Sequence, residues 1–131
     1  CRGNSMRSRI ISTIPEQVII YNLDTLTGQI EKITSRMNIK LTVADKASAG
    51  EALGYLAGFG GFVSNGSSES TDEGCMVFSG LSGKRIDALL AAFRKAEVNV
   101  PYKAVITASN QSWSIKKLLG ELVKEREKLG G

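Results

Sequence analysis

A chain of 131 residues with 42% hydrophobic and 23% charged side chains has the composition of one globular domain, able to bury about two thirds of the surface its unfolded form would expose. It contains no histidine, which removes Ser-His-Asp and Cys-His nucleophile activation and every histidine-ligated metal site. No apolar run approaches the roughly 20 residues of a membrane span, and a net charge of +4, from 17 basic against 13 acidic residues, is mild and dispersed enough to argue against nucleic acid as a partner.

The opening "CRGNSMRSRI" is basic, but no apolar core or small-residue cleavage site follows it, so it does not read as a secretory signal. Residues 1–14 are expected to form a loose arm, with Met6 a candidate natural start, ahead of a single α+β domain over 15–131. Cys1 on that arm and Cys75 at the head of an apolar strand make a poor structural disulfide, and a reducing cytoplasm fits them best.

"EQVIIYNL" (16–23) reads as a continuous apolar strand, and Asp24 is placed to cap a helix of about 25–38 in which Leu26, Ile30, Ile33 and Met37 recur at helical spacing. "KLTVAD" (40–45) is a second, less apolar strand. Ser48 with Glu51 three residues on has the form of a capping box for a short helix ending at Gly58. The glycine- and serine-rich stretch "GFGGFVSNGSSESTDEG" (58–74) has no periodicity after Val63 and reads as a loop, mobile at its centre.

"CMVFSG" (75–80) is a third strand, followed by Ser82 as cap and by Ile86, Leu89, Leu90 and Phe93 as the stripe of a helix. Pro101 precedes a fourth strand, "YKAVITA" (102–108), and a last helix carries Ile115, Leu118, Leu119, Leu122 and Leu129 on one face. "VIIYNLDTLTGQIEKI" and "MVFSGLSGKRIDALLAAF" share one plan of apolar strand, small polar residue, leucine, capping residue and amphipathic helix, a weak internal duplication.

Two such units predict an α+β, ferredoxin-like split β-α-β sandwich. Its four-stranded, mostly antiparallel sheet would have an extra helix between strands 2 and 3 and a C-terminal helix. The unalternating first and third strands belong at the centre and the mixed fourth at an edge. The competing arrangement is a four-stranded parallel sheet, since strands and helices alternate throughout.

Several constellations fall short of known chemistry. "VIIYNL" and "EGCMVFSG" stand where an RNA-recognition sheet presents stacking aromatics, but Ile19, Cys75 and Val77 occupy those positions. "FSGLSGKR" (78–85) misses the P-loop glycine and its serine or threonine, which leaves only a weak candidate anion site at Gly83, Lys84 and Arg85 on a helix N-terminus. The acidic residues Glu69, Asp72 and Glu73 lack EF-hand spacing, so no metal or cofactor is expected.

"VPYKAVITASNQSWS" (100–114) is the remaining candidate. Thr107, Ser109, Asn110 and Ser112 suit the turn and the cap of the last helix, with Trp113 stapling that helix to the body. In the functional reading, Tyr102, Lys103, Thr107, Asn110 and Trp113 line a pocket where a strand end meets a helix start.

Phe78, Ser79, Gly80, Pro101, Lys103, Ala104, Val105, Thr107, Asn110 and Trp113 form a pattern that resembles a bacterial family of uncharacterised domains found largely in clostridia and related Firmicutes. The likeness covers about 75–129, and it implies a ferredoxin-like fold in a bacterial cytoplasm without an assigned activity. "SGKR" at 82–85 departs from it, because acidic residues would be expected after the capping serine.

The reading reached is a non-enzymatic module that binds a small molecule or a protein, with a homodimer through a sheet edge or an uncovered sheet patch as one form. The alternatives are weak nucleic-acid binding through dispersed basic residues and an enzyme using Lys103 or Cys75 as nucleophile.

Overall fold

The computed structural model describes residues 16–66 and 68–130. The N-terminal arm with Cys1 and Met6, and the place of the Leu129 side chain on the last helix, lie outside the described residues. In chain order the elements are β1 (Gln17–Tyr21), α1 (Thr27–Arg36), β2 (Lys40–Ala44), a 3-10 turn (Lys46–Ser48) and α2 (Leu53–Leu56). They are followed by β3 (Cys75–Ser79), α3 (Gly83–Lys95), β4 (Lys103–Val105) and α4 (Ile115–Gly130).

The four strands form one mixed sheet in the order β2-β1-β3-β4. The continuously apolar β1 and β3 are central and buried at every position, and the mixed β2 and β4 are edges, as their compositions require. The pairing corrects the expected topology. β1 and β2 are parallel neighbours, β3 and β4 are parallel neighbours, and only β1 and β3 run antiparallel.

Neither β-α-β unit is therefore split, and the sheet is mixed rather than mostly antiparallel or wholly parallel. A split unit would need each helix to carry the chain past an intervening strand. Here α1, with 10 residues, and α3, with 13, each return the chain directly beside the strand it left, the shortest crossover a parallel pair allows.

Both faces of the central strands are covered. Val18, Ile20, Met76 and Phe78 face α1 and α3, meeting Ile30, Ile33, Leu89 and Phe93. Ile19, Tyr21, Cys75 and Val77 face α2 and α4, meeting Leu53, Ile115, Leu118 and Leu119. A sheet clad in this way has no free platform over β1 and β3 on which bases could stack.

The internal duplication is structural. Gln17 pairs with Ser79, Ile19 with Val77 and Tyr21 with Cys75, so a pseudo-twofold axis passes through the Ile19–Val77 pair and exchanges the two units. It brings Tyr21 onto Ser79, Asn22 onto Gly80 and Leu23 onto Leu81. Asn22 and Gly80 both sit in the left-handed region, with φ of 56° and 74°, and turn the chain from strand to helix. Asn38 and Glu97 repeat the match at the helix ends, with φ of 63° and 61°. The amide one residue further on donates to Thr34 in one unit and to Phe93 in the other, each bond 2.8 Å long.

The cap expected at Ser82 forms, those expected in the first half do not, and the last helix is capped by Ser114 rather than by the residues of the turn before it. Ser82 Oγ accepts from Arg85 N at 3.2 Å, as expected, and Ser114 Oγ does the same for Lys117 N at 3.0 Å. Asp24 does not cap α1, because residues 23–26 first close a turn and Thr27 Oγ1 donates to Leu23 O at 3.1 Å. The Ser48–Glu51 capping box does not form either. Asp45 caps the 3-10 turn, and the buried Glu51 carboxylate instead accepts from Ser64 Oγ at 2.6 Å and Asn65 N at 3.0 Å.

Glu51 thus fastens the glycine- and serine-rich loop. Further along it, Ala49 N donates to Glu69 O at 3.0 Å and Lys116 Nζ meets Glu69 Oε1 at 2.7 Å. Near its end, Thr71 N donates to Tyr21 OH at 2.9 Å. Gly74 passes so close to the end of β1 that a Cβ there would lie 2.6 Å from Asn22 O, which explains the glycine. Among the described residues no helix is long and apolar enough to cross a membrane.

Candidate functional site

Parallel strand pairs open a crevice at their carboxyl ends, where the chain turns away toward the covering helices. At the end of the β3 and β4 pair that crevice is a cleft of about 260 Å³, below the roughly 300–1,000 Å³ of drug-sized pockets and suited to a small molecule. Its walls come from three segments. Ser79 and Gly80 end β3, Ile106, Thr107 and Ala108 leave β4, and Phe59 reaches in from the glycine-rich stretch after α2. Gln111 also lines it.

The cleft exists because the duplication is broken at one position. In the first unit Tyr21 is fully buried, and its hydroxyl donates to Lys46 O at 2.7 Å while accepting from Thr71 N. The pseudo-equivalent Ser79 points to the same face of the sheet with a side chain too short to fill the matching space. It is 2% exposed, and among the described residues no group hydrogen-bonds its hydroxyl. Its register partner Gln17 is turned to β2, where Nε2 donates to Thr42 Oγ1 at 2.5 Å. A buried hydroxyl without a partner costs about 1–3 kcal/mol, so it marks a position kept for something other than stability.

The five residues expected to share a pocket do not share one. Thr107 lines the cleft. Asn110 is occupied by the turn, its Oδ1 accepting from Thr107 N at 2.8 Å and its Nδ2 donating to Val105 O at 3.0 Å. Trp113 packs on the α2 and α4 side with Lys117 Nζ 4.8 Å from its ring centroid, and Tyr102 packs there too with Arg126 at 5.6 Å. Lys103 pairs with Met76 and so faces the α1 and α3 layer, where its Nζ donates to Val100 O at 2.5 Å beside a separate cavity of about 210 Å³.

The stretch from Thr107 to Ser114 also carries the framework. Leu53 N donates to Trp113 O and Gly54 N to Gln111 O, both at 2.8 Å, so the exposed amides of the α2 N-terminus are satisfied by this turn. Phe62 lies over Gly54, where a Cβ would come within 2.6 Å of its ring, and that contact aims the segment carrying Phe59.

Of the residues at the start of α3, Arg85 is engaged. Its Nε and Nη2 form a two-pronged ion pair with Glu16 at 2.8 Å each, and Nη2 also reaches Met37 O at 2.7 Å. The hydrogen bond from Arg85 holds the Glu16 carboxyl below its ordinary pKa. Gly83 has open space around it, and Lys84 is exposed. Burial pushes the Cys75 thiol up to about 12, which leaves it protonated near neutrality. Among the described residues no group of three or more cysteine, aspartate or glutamate side chains is placed to hold a metal ion.

The fold and cleft define a class: a four-stranded mixed sheet of two β-α-β units, with an open crevice at the carboxyl end of the second. That second unit is also the part with a family match, since residues 75–129 match the domain of unknown function DUF3783. No curated protein and no solved structure matches the chain significantly. Sequence reasoning passed over Ser79 and Gln111 as site residues. The signal for Ser79 was present in the aligned duplication, where a small polar residue stands opposite a tyrosine.

Proposed function

We propose that the protein is a non-enzymatic binding module that takes a small molecule in the cleft between the ends of β3 and β4. The observation that carries this reading is the buried Ser79 hydroxyl, without a hydrogen-bond partner among the described residues, at a cleft whose counterpart in the other unit is filled by Tyr21. A binding role fits better than catalysis because the buried Cys75 thiol, pushed up to about 12, holds almost no thiolate to attack with. Thr107 belongs to this site; Asn110 and Trp113 support it through the turn, Tyr102 packs with Trp113 in the α2 and α4 layer, and Lys103 stands on the opposite face. The bacterial, cytoplasmic setting is part of the same reading and rests on the likeness of the "FSG" and "TASNQSW" segments to the bacterial family.

The test is a titration of the labelled protein with a panel of small-molecule fragments, followed by amide ¹H–¹⁵N spectra. Saturable shifts should gather at Ser79, Gly80, Thr107 and Gln111 and vanish in a folded Ser79→Tyr variant, in which the phenol fills the cleft. Shifts that ignore that substitution, or a panel that never touches these amides, would sink the reading.

A further inference from the structure

The lining of the cleft has a chemical signature beyond its shape: none of its side chains is ionisable. The polar side chains among its lining residues are those of Ser79, Thr107 and Gln111. Gln111 uses its backbone amide and carbonyl on Thr107 and Gly54, while its side-chain amide, like the Ser79 hydroxyl, bonds to no described residue. Thr107 Oγ1 accepts from Asn110 N at 3.2 Å and keeps its own proton to donate. A charged ligand entering here would leave water without meeting a counter-charge, which is strongly unfavourable. Arg85 offers none, because Glu16 and Met37 O already hold it.

A carboxamide presents a donor and an acceptor side by side in one plane. It is complementary to a second amide or to the edge of a nucleobase, which carry the same pair in reverse. Phe59 adds an aromatic wall against which a planar group can stack. Resting on the small-molecule reading above, we infer that the ligand is an uncharged planar group with a donor and an acceptor on one edge, either a primary carboxamide or a nucleobase. Gln111 reads that edge, Ser79 supplies a further hydrogen bond from the cleft floor, and Phe59 contacts the ring face.

Three probes separate the parts of this inference: nicotinamide, its near-isosteric anion nicotinate, and adenosine, each titrated into the full chain and followed by amide shifts. Nicotinamide or adenosine should shift Ser79, Gly80 and Gln111, with the better of the two identifying the source as carboxamide or base. Nicotinate should bind at least about tenfold more weakly than nicotinamide, a difference of about 1.4 kcal/mol. Gln111→Leu and Ser79→Ala should each weaken binding by about tenfold or more while the spectrum stays that of the folded protein.

Equal binding of nicotinate and nicotinamide at these amides would overturn the neutral-ligand inference and leave the cleft a binding site. Retained affinity in both variants would overturn the assigned recognition. Failure of all three probes, with other fragments still shifting the cleft, would remove the ligand class alone, whereas silence from every fragment would remove the site itself.

Discussion

Tyr21 and Ser79 stand at equivalent positions of the two β-α-β units, and one is a buried phenol with two hydrogen bonds while the other is a buried hydroxyl with none among the described residues. The same backbone frame therefore makes a sealed end in the first unit and an open cleft in the second. Removing the Ser79 hydroxyl should for that reason leave the fold unharmed or stabilise it. Ser79→Ala is expected to change unfolding free energy by between 0 and about 1 kcal/mol in the stabilising direction, since an unpaired buried hydroxyl gives way to a methyl group. Urea denaturation would decide it, and a clear loss of stability would mean the hydroxyl has a structural partner.

Asn110 behaves in the opposite way. Its side-chain Oδ1 accepts from Thr107 N and its Nδ2 donates to Val105 O, while its backbone N–H donates a third hydrogen bond to the Thr107 hydroxyl. Asn110→Ala should cost about 1–2 kcal/mol of stability, and any loss of binding should follow from disorder of the Thr107 to Gln111 turn. A variant as stable as wild type but unable to bind would move Asn110 into the ligand site.

Cys75 provides a pH-dependent prediction. Its pKa rises from an ordinary 9.0 to about 12 on folding, because burial disfavours the thiolate. The sign follows from linkage: the stability tied to the protonated thiol is fully present below the unfolded value of 9.0 and declines as pH rises from there toward about 12. In a Cys1→Ser background, the stability difference between the Cys75 protein and its Cys75→Ala variant should shrink across that window. Alkylation of Cys75 at neutral pH should be slow until denaturant opens the fold. Rapid reaction in the native state would contradict the burial described.

Glu16 and Arg85 give the acid-side counterpart. The Glu16 carboxyl titrates below its ordinary value because Arg85 bonds to its ionised form. That contribution is present above the unfolded carboxylate value and disappears as pH falls through the lowered folded one. Glu16→Gln should thus be less stable than wild type at neutral pH, with the gap closing in acid; both groups are about a third exposed, so salt should narrow it as well. A gap independent of pH would assign the effect to packing.

Much of the frame was legible in the sequence because its signals are local. Continuous apolarity put β1 and β3 at the centre, helical spacing found α1, α3 and α4, and Ser82 marked the start of α3. Asp24 and the Ser48–Glu51 pair misled because a capping pattern states a local option that tertiary contacts can decline. The Glu51 carboxylate gained more from the Ser64 and Asn65 loop than from an amide of its own turn. Lys103 was grouped with Tyr102 and Trp113 by nearness in the chain, yet strand alternation sends it to the other face of the sheet.

What the sequence determined by itself was the inventory: two apolar strands to be buried on both sides, helices to bury them, and no histidine for catalysis. Strand order and direction were settled only in three dimensions, since the same strand and helix periodicities suit split and unsplit β-α-β units alike. The cleft belongs to that second level. Its residues come from positions 59, 79–80 and 106–111, and nothing local ties Phe59 to Ser79; what joins them is the packing of α2 on the turn after β4 and the antiparallel meeting of β1 with β3, which sets a serine where its twin unit has a tyrosine.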